Sequence, residues 1–262
     1  MPAIIIPRTH LRQPQGRAQI DYANPLTAGL AFAETPTSES GRFGRSGAVA
    51  EAAGAGGRAY SLNGSSYLRD SNSPLRNFPL TFLALFKRTP GTLGSLVSIG
   101  AGSQRHLMYF LGDGRCKIFS GTSGATNENG GGVAPLDAEP GPSWLAARVL
   151  ANNSRDIWHA GALLDSASGT VNTTDAANAL IGTYWNDDAP ALTFSGEIYF
   201  AAAWARALAN EELREMYRNP WQLFRADPIR IYSLPTGAIS INSITASSIT
   251  QTGARITLGL TR

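Results

Sequence analysis

LTFLALFKR, residues 80–88, alternates Leu80, Phe82, Ala84 and Phe86 with Thr81, Leu83 and Leu85. An extended chain sends successive side chains to opposite faces, so this stretch carries apolar groups on both of them. Such a strand belongs in the middle of a sheet that is covered on both sides. The same property returns in FSGEIYFAAAWARAL, residues 194–208, where Ile198, Phe200, Ala202 and Trp204 alternate with Tyr199, Ala201 and Ala203. Two strands of this kind predict a layered all-β protein.

Shorter signals lie around them. YSLNGSSYLR, residues 60–69, sets Tyr60 and Leu62 before Asn63-Gly64 and Tyr67 after it, which reads as a hairpin. Leu96, Val97 and Ile99, then residues 106–111, then 116–119 beyond the Gly112-Asp113-Gly114 turn, predict a three-stranded meander. Residues 144–149 and 156–164 read as a strand pair around Asn152-Asn153, and 179–184 as a further short strand. Residues 34–58 are dominated by Ala, Gly, Ser and Thr and read as a loose surface loop. Residues 121–143 form a long excursion loop, a length that in small domains goes with function or mobility. A helix is expected over residues 210–219, with Leu213, Met216 and Tyr217 on one stripe, Glu211 and Glu212 in its first turn and Pro220 stopping it. Leu208 and Leu213 are spaced as a hydrophobic staple across its start.

The 262 residues suffice for one all-β domain with short extensions. With 28 Gly, 15 Pro and only 16% charged residues, tight turns between short strands are favoured over helices. The net charge is +3, and the basic residues, of which only Lys87 and Lys117 are Lys, are too scattered to form a stripe that follows phosphates. Neither nucleic acid nor membrane is expected as a partner. Cys116 is the one cysteine, so no intramolecular disulfide can form, and folding in a reducing cytoplasm is expected. The opening MPAIIIPRTH has too short an apolar run for a signal peptide or a membrane span. Residues 1–19 read as an extended arm, 20–232 as the main domain and 233–262 as a β-rich extension. In that extension Ile239 and Ile241 alternate, as do Ile256 and Leu258, like the first strands of an immunoglobulin or fibronectin module that is too short to be complete.

The order of these pieces resembles the concanavalin A-like, laminin-G-like jelly-roll β-sandwich. YSLNGSSYL is followed by LTFLALFKRT, then by a strand opening with Trp144, a turn at His159-Ala160-Gly161, the pair Ile181-Gly182, Phe194 to Ile198 as Phe-x-Gly-Glu-Ile, and Arg206-Ala207-Leu208 running into Glu211-Glu212-Leu213. The chain departs from that pattern at Ala209, where the family commonly has a Ser or Thr helix cap; the loss is on the order of 1 kcal/mol. The fold this implies is an all-β jelly roll with one short helix. Its flanks, RQPQGRAQIDYANPLTAGLAFA and RNPWQLFRADPIRIY, resemble those of jelly-roll proteins encoded by tailed bacteriophages. That likeness implies a structural virion component, a capsid decoration, fibre or tail-associated protein, oligomeric and docked on other virion proteins. Its place would be the virion, after synthesis in the bacterial cytoplasm.

Catalysis is not expected. Glycosidases of this superfamily need two carboxylates about the scissile bond, but Glu197 is followed on its strand by Tyr199 and Ala201. His10, His106 and His159 are scattered, and neither a Gly-x-Ser-x-Gly elbow nor a Gly-Lys phosphate loop occurs. A carbohydrate-binding module for host surface polysaccharide is the first alternative and a glycoside hydrolase the second. The binding candidate is Tyr184, Trp185, Asn186, Asp187 and Asp188, where aromatic rings stand beside oxygen ligands; the plainer reading packs Trp185 on the rim. No cofactor is expected, and nothing beyond the resemblance supports Ca2+ at this loop. Trp221, Leu223 and Phe224 either fold back over one sheet or, with Ile239, Ile241, Ile256 and Leu258, form an intersubunit surface.

Overall fold

The computed structural model describes residues 13–226, apart from 15–16, 39–41, 55–56, 76–77, 102–103, 123–127, 130–140, 152–153, 169–177 and 187–188. In chain order its strands begin with β1 (Ala18–Ile20), β2 (Leu30–Glu34), β3 (Gly44–Ser46), β4 (Ala50–Gly54), β5 (Gly57–Asn63), β6 (Tyr67–Asp70), β7 (Leu80–Arg88), β8 (Gly94–Ala101), β9 (Gln104–Phe110) and β10 (Cys116–Thr122). They continue with β11 (Glu128–Asn129), β12 (Ser143–Ala151), β13 (Ser154–His159), β14 (Ala162–Ser168), β15 (Asn178–Ile181), β16 (Tyr184–Asn186), β17 (Ala189–Ala191), β18 (Ser195–Trp204) and β19 (Phe224–Ala226). The helix α1 spans Asn210–Arg218.

Two sheets face each other. One runs β11-β10-β9-β8-β15-β6-β3; the other runs β14-β13-β12-β7-β18-β5-β4, with β2 also paired to β18. The expected jelly-roll sandwich is therefore present. Between the sheets lie Leu80, Phe82, Ala84 and Phe86 of β7 against Val97, Ile99, Met108, Phe110 and Ile118 of the facing sheet. The other side of β7 is apolar too, as Leu83 joins a second buried cluster with Leu208, Leu213 and Met216. Thr81 is polar among the residues on that side from Leu80 to Phe86. Its hydroxyl donates to the Arg206 carbonyl at 2.8 Å and accepts from the Leu208 amide at 2.9 Å, fastening the helix approach to the sheet.

The other central strand, β18, departs from simple alternation. Ile198 opposes Phe86 and Phe200 opposes Leu85, so Tyr199 is an extra residue, a β-bulge. Ile198, Ala201 and Ala203 consequently face the inter-sheet core, while Tyr199, Phe200, Ala202 and Trp204 face the outer cluster. Ile198 and Phe200 do not share a face, as the sequence period suggested. Gly196, in the Phe-x-Gly-Glu-Ile segment, has φ 142°, and a Cβ there would lie 2.2 Å from the Lys87 carbonyl oxygen.

Further differences follow from pairing. Asn63-Gly64 does not close a hairpin: β5 lies in one sheet and β6 in the other, so this turn carries the chain across the sandwich. The Asn63 side-chain oxygen accepts from the Ser65 amide and from both the Ser65 and Ser66 hydroxyls, which holds the crossing. Residues 34–58 contain the edge strands β3 and β4 rather than only loop. The segment 156–164 is two strands, β13 and β14, turned at Ala160 (φ 48°) and Gly161 (φ 76°), both left-handed as in a type I′ hairpin. The meander β8-β9-β10 pairs as expected.

Trp221, Leu223 and Phe224 are 6%, 0% and 3% exposed, so they form no surface patch. Trp221 and Phe224 meet the Phe200 ring edge-on at 5.8 and 5.9 Å. The bulge puts Phe200 outward, and these side chains cover it. In the helix, Leu213 and Met216 are buried with Leu208, whereas Tyr217 is 45% exposed and rests on Trp144. The chain is already packed at Gln13, whose amide donates to the Thr35 hydroxyl at 2.9 Å and the Arg58 carbonyl at 2.7 Å. The partner strand of β1 is β19, with Ala18 opposite Ala226. Ile239, Ile241, Ile256 and Leu258 lie outside the described residues.

Candidate functional site

The aromatic pair singled out in the sequence forms β16, which turns back as β17 with Tyr184 opposite Ala191 and Asn186 opposite Ala189. Both feet of this small hairpin are tied to β8. The Ser98 hydroxyl donates to the Thr183 carbonyl at 2.8 Å, and the Ser95 amide donates to the Leu192 carbonyl at 2.7 Å. Leu192 has φ 47°, a left-handed conformation that costs a branched residue about 1–2 kcal/mol and is held only by its surroundings. The hairpin thereby lies over the outer face of the seven-stranded sheet.

Each aromatic ring meets an arginine that rises from that sheet. The Arg69 guanidinium carbon lies 4.2 Å from the centroid of the Trp185 ring, and Tyr67 meets the indole edge-on at 6.4 Å. The Arg105 guanidinium lies 4.5 Å from the Tyr184 ring and 5.4 Å from Phe119. Amide oxygens hold both cations. Asn178 Oδ1 accepts from Arg69 Nε at 3.1 Å and Nη2 at 3.0 Å, while Asn186 Oδ1 accepts from Arg105 Nη1. Beneath Tyr184 sit Leu107, Tyr109 and Phe119, and with Arg105 and Leu192 they line a dimple of about 80 Å³. Sites that enclose a whole small molecule are several times larger, so a ligand would lie across this one.

Tyr184, Trp185 and Asn186 are all half-buried, so rim packing and accessibility coexist. Asp187 and Asp188 lie outside the described residues. Arg69, Arg105 and Asn178 escaped the sequence reading. Their signal was present in part: Arg105, Leu107 and Tyr109 have the two-residue spacing of one strand face, yet nothing local says which face.

Glu197 Oε2 accepts from the Tyr199 hydroxyl. His106 is buried with Nδ1 2.8 Å from the Ser120 hydroxyl, and desolvation beside Arg155 lowers its pKa to about 4. Burial pushes the Cys116 thiol up to about 12, which keeps it protonated and unreactive. His10 is outside the described residues. Among the described residues no three His, Cys, Asp or Glu side chains converge as a metal site would need. Larger hollows lie elsewhere: one of about 400 Å³ beside Ile20, Tyr22 and Arg225, and one of about 370 Å³ between Trp144, His159 and Tyr217.

No protein-family model and no curated protein matches the sequence. Solved structures do. Domain 4 of AbnA, a GH43 extracellular arabinanase from Geobacillus stearothermophilus, solved with arabinotriose, is 20% identical. The match covers 72% of this chain and 98% of that one, with a TM-score of 0.56. The binding domain of Paraclostridial Mosquitocidal Protein 1 is 13% identical over 73% of this chain and 52% of that one, with a TM-score of 0.56. At these identities the likeness is one of fold, a β-sandwich jelly roll.

Proposed function

We propose that this chain is a non-catalytic jelly roll that binds carbohydrate across the outer face of its seven-stranded sheet. The observation that carries the reading is the presentation of Tyr184 and Trp185 on a hairpin pinned to β8, half-exposed, with a guanidinium stacked on each ring. Rigid aromatic faces beside hydrogen-bonding side chains suit the apolar face and hydroxyl rim of a sugar ring. The similar arabinanase domain, solved with arabinotriose, lends the reading support. Binding rather than hydrolysis is favoured because Glu197 is followed along its strand by Tyr199 and Ala201, which supply no second carboxylate of the kind a glycosidase needs.

A glycan array followed by calorimetry tests this. Binding that falls by roughly five- to thirtyfold in Trp185→Ala, with unchanged melting, is expected, since losing one stacked ring removes on the order of 1–2 kcal/mol. Binding that Trp185→Ala and Tyr184→Ala leave untouched would place the ligand elsewhere and defeat the reading.

A second reading concerns where the module works. The flanking segments that resemble those of bacteriophage jelly-roll proteins meet in the fold: Ile20 pairs with Phe224, and the Asn24 side chain donates to the Gln222 carbonyl at 2.9 Å. Paired flanks suit a displayed body attached to a particle, and we infer a structural role in a tailed-phage virion on that resemblance. Mass spectrometry of purified particles decides it, and the chain's absence from them would end this reading without touching the first.

A further inference from the structure

We propose that the ligand of this face is an acidic glycan whose sugars carry carboxylate groups, taken up by Arg69 and Arg105; the inference rests on the glycan-binding reading above. Several arginines elsewhere in the fold are neutralised. Arg42 pairs with Asp70, Arg45 and Arg58 with Glu51, Arg148 with Asp156, and Arg206 with Glu212. At the hairpin the pattern changes: among the described residues no carboxylate lies within ion-pair distance of Arg69 or Arg105, and their partners are the neutral side chains of Asn178 and Asn186. An amide oxygen orients a guanidinium but leaves its full positive charge in place.

The donor count points the same way. A guanidinium offers five N–H groups in one plane. Arg69 commits Nε and one hydrogen of Nη2 to a single oxygen, and Arg105 commits one hydrogen of Nη1. Stacking on Trp185 and Tyr184 covers one face of each cation and fixes its plane, leaving the remaining edge donors in a set orientation. Fixed, uncompensated fork donors match a carboxylate, which accepts two parallel hydrogen bonds. Neutral sugars present hydroxyl donors that need acceptors as well, whereas the two guanidinium groups offer donors alone. The dimple between Arg105, Tyr109 and Tyr184 is too small for a ring and admits a substituent.

The test is calorimetry of the full chain against matched pairs that differ in the carboxylate: sialyllactose against lactose, and oligogalacturonate against its methyl ester, extended to any acidic hit on an array and its neutral counterpart. At least about tenfold preference for one acidic member is expected, weakening as salt rises from low to high ionic strength. Arg105→Gln should remove that preference, while Arg105→Lys, which keeps the charge but loses the fork, should retain part of it. Arg69→Gln should behave like Arg105→Gln, and should it melt early, the salt dependence and the Arg105 pair decide alone. Equal binding of acidic and neutral partners, or a preference that survives Arg105→Gln, overturns this inference and leaves glycan binding standing. A panel with no binder at all removes the underlying reading and this inference together.

Discussion

Arg148 and Asp156 stand directly opposite each other on β12 and β13, and both are buried beneath the approach to the helix. Arg148 Nε donates to the two Asp156 oxygens at 2.9 and 3.2 Å, Nη2 donates to Oδ2, and Nη1 donates to the Leu208 carbonyl at 2.6 Å. The guanidinium also lies 5.1 Å from the Trp158 ring. Taking one partner away strands a buried charge, whereas removing both does not. Asp156→Ala should therefore cost about 3–5 kcal/mol, and the double change Arg148→Met with Asp156→Leu should cost far less. Denaturant unfolding of the three proteins checks it, and a double variant as weak as the single one would contradict the account.

Acid should act on the core through His106. Its folded-state pKa is depressed to about 4 from an ordinary 6.5, so the fold holds the neutral ring. As pH falls below about 6.5 the unfolded chain takes up the proton first, and stability drains away until the folded ring also protonates near 4. The loss is on the order of 3 kcal/mol. The stability difference between the wild type and His106→Gln should shrink by about that amount between pH 7 and pH 4. A difference that stays flat with pH would contradict the assignment.

The β13–β14 turn holds an alanine in a left-handed conformation. Ala160→Asn or Ala160→Gly should raise stability by roughly 0.5–1 kcal/mol, because those residues tolerate positive φ. Gly161→Ala should do the reverse, since its new methyl would sit 2.9 Å from the Tyr217 ring as well as straining the backbone. Thermal melts of the three variants give the sign directly.

At the helix start the Ala209 amide donates to Glu212 Oε2 at 2.7 Å, and Arg206 holds both oxygens of that carboxylate at 2.7 Å. This is one half of a capping box, for alanine has no side-chain oxygen to return the bond. Ala209→Ser supplies it and should stabilise by about 1 kcal/mol. An unchanged melting temperature would mean that the Arg206–Glu212 clamp already supplies all the fixation this end needs.

The sandwich was legible because Leu80 to Phe86 has one apolar period on each face, and only a central strand tolerates that. In β18 the same two-faced character hid the bulge: with Tyr, Phe, Ala and Trp on both sides, either phase looks acceptable, and Tyr199 carries no local mark of being extra. Asn63-Gly64 supplied correct turn chemistry but not the destination, because the partners of β6 are β15 and β3 rather than β5. The edge strands β3 and β4 were missed since their Gly, Ala, Arg and Ser side chains bury little. At the candidate site Tyr184 and Trp185 announced themselves. Arg105 did not, as it reaches Asn186 across 81 residues of sequence, and only the stacking of hairpin on sheet brings them together.

The pairing of Ala18 with Ala226 has a mechanical corollary. Antiparallel neighbours lie about 5 Å apart, so the start of β1 and the end of β19 lie at nearly one point. A pull applied through both flanks loads the Gln13 bonds to Thr35 and Arg58 on one side and then opens β1 from β19 like a zip, one hydrogen bond at a time. Strain on the paired flanks is thus taken first where it can be restored most cheaply.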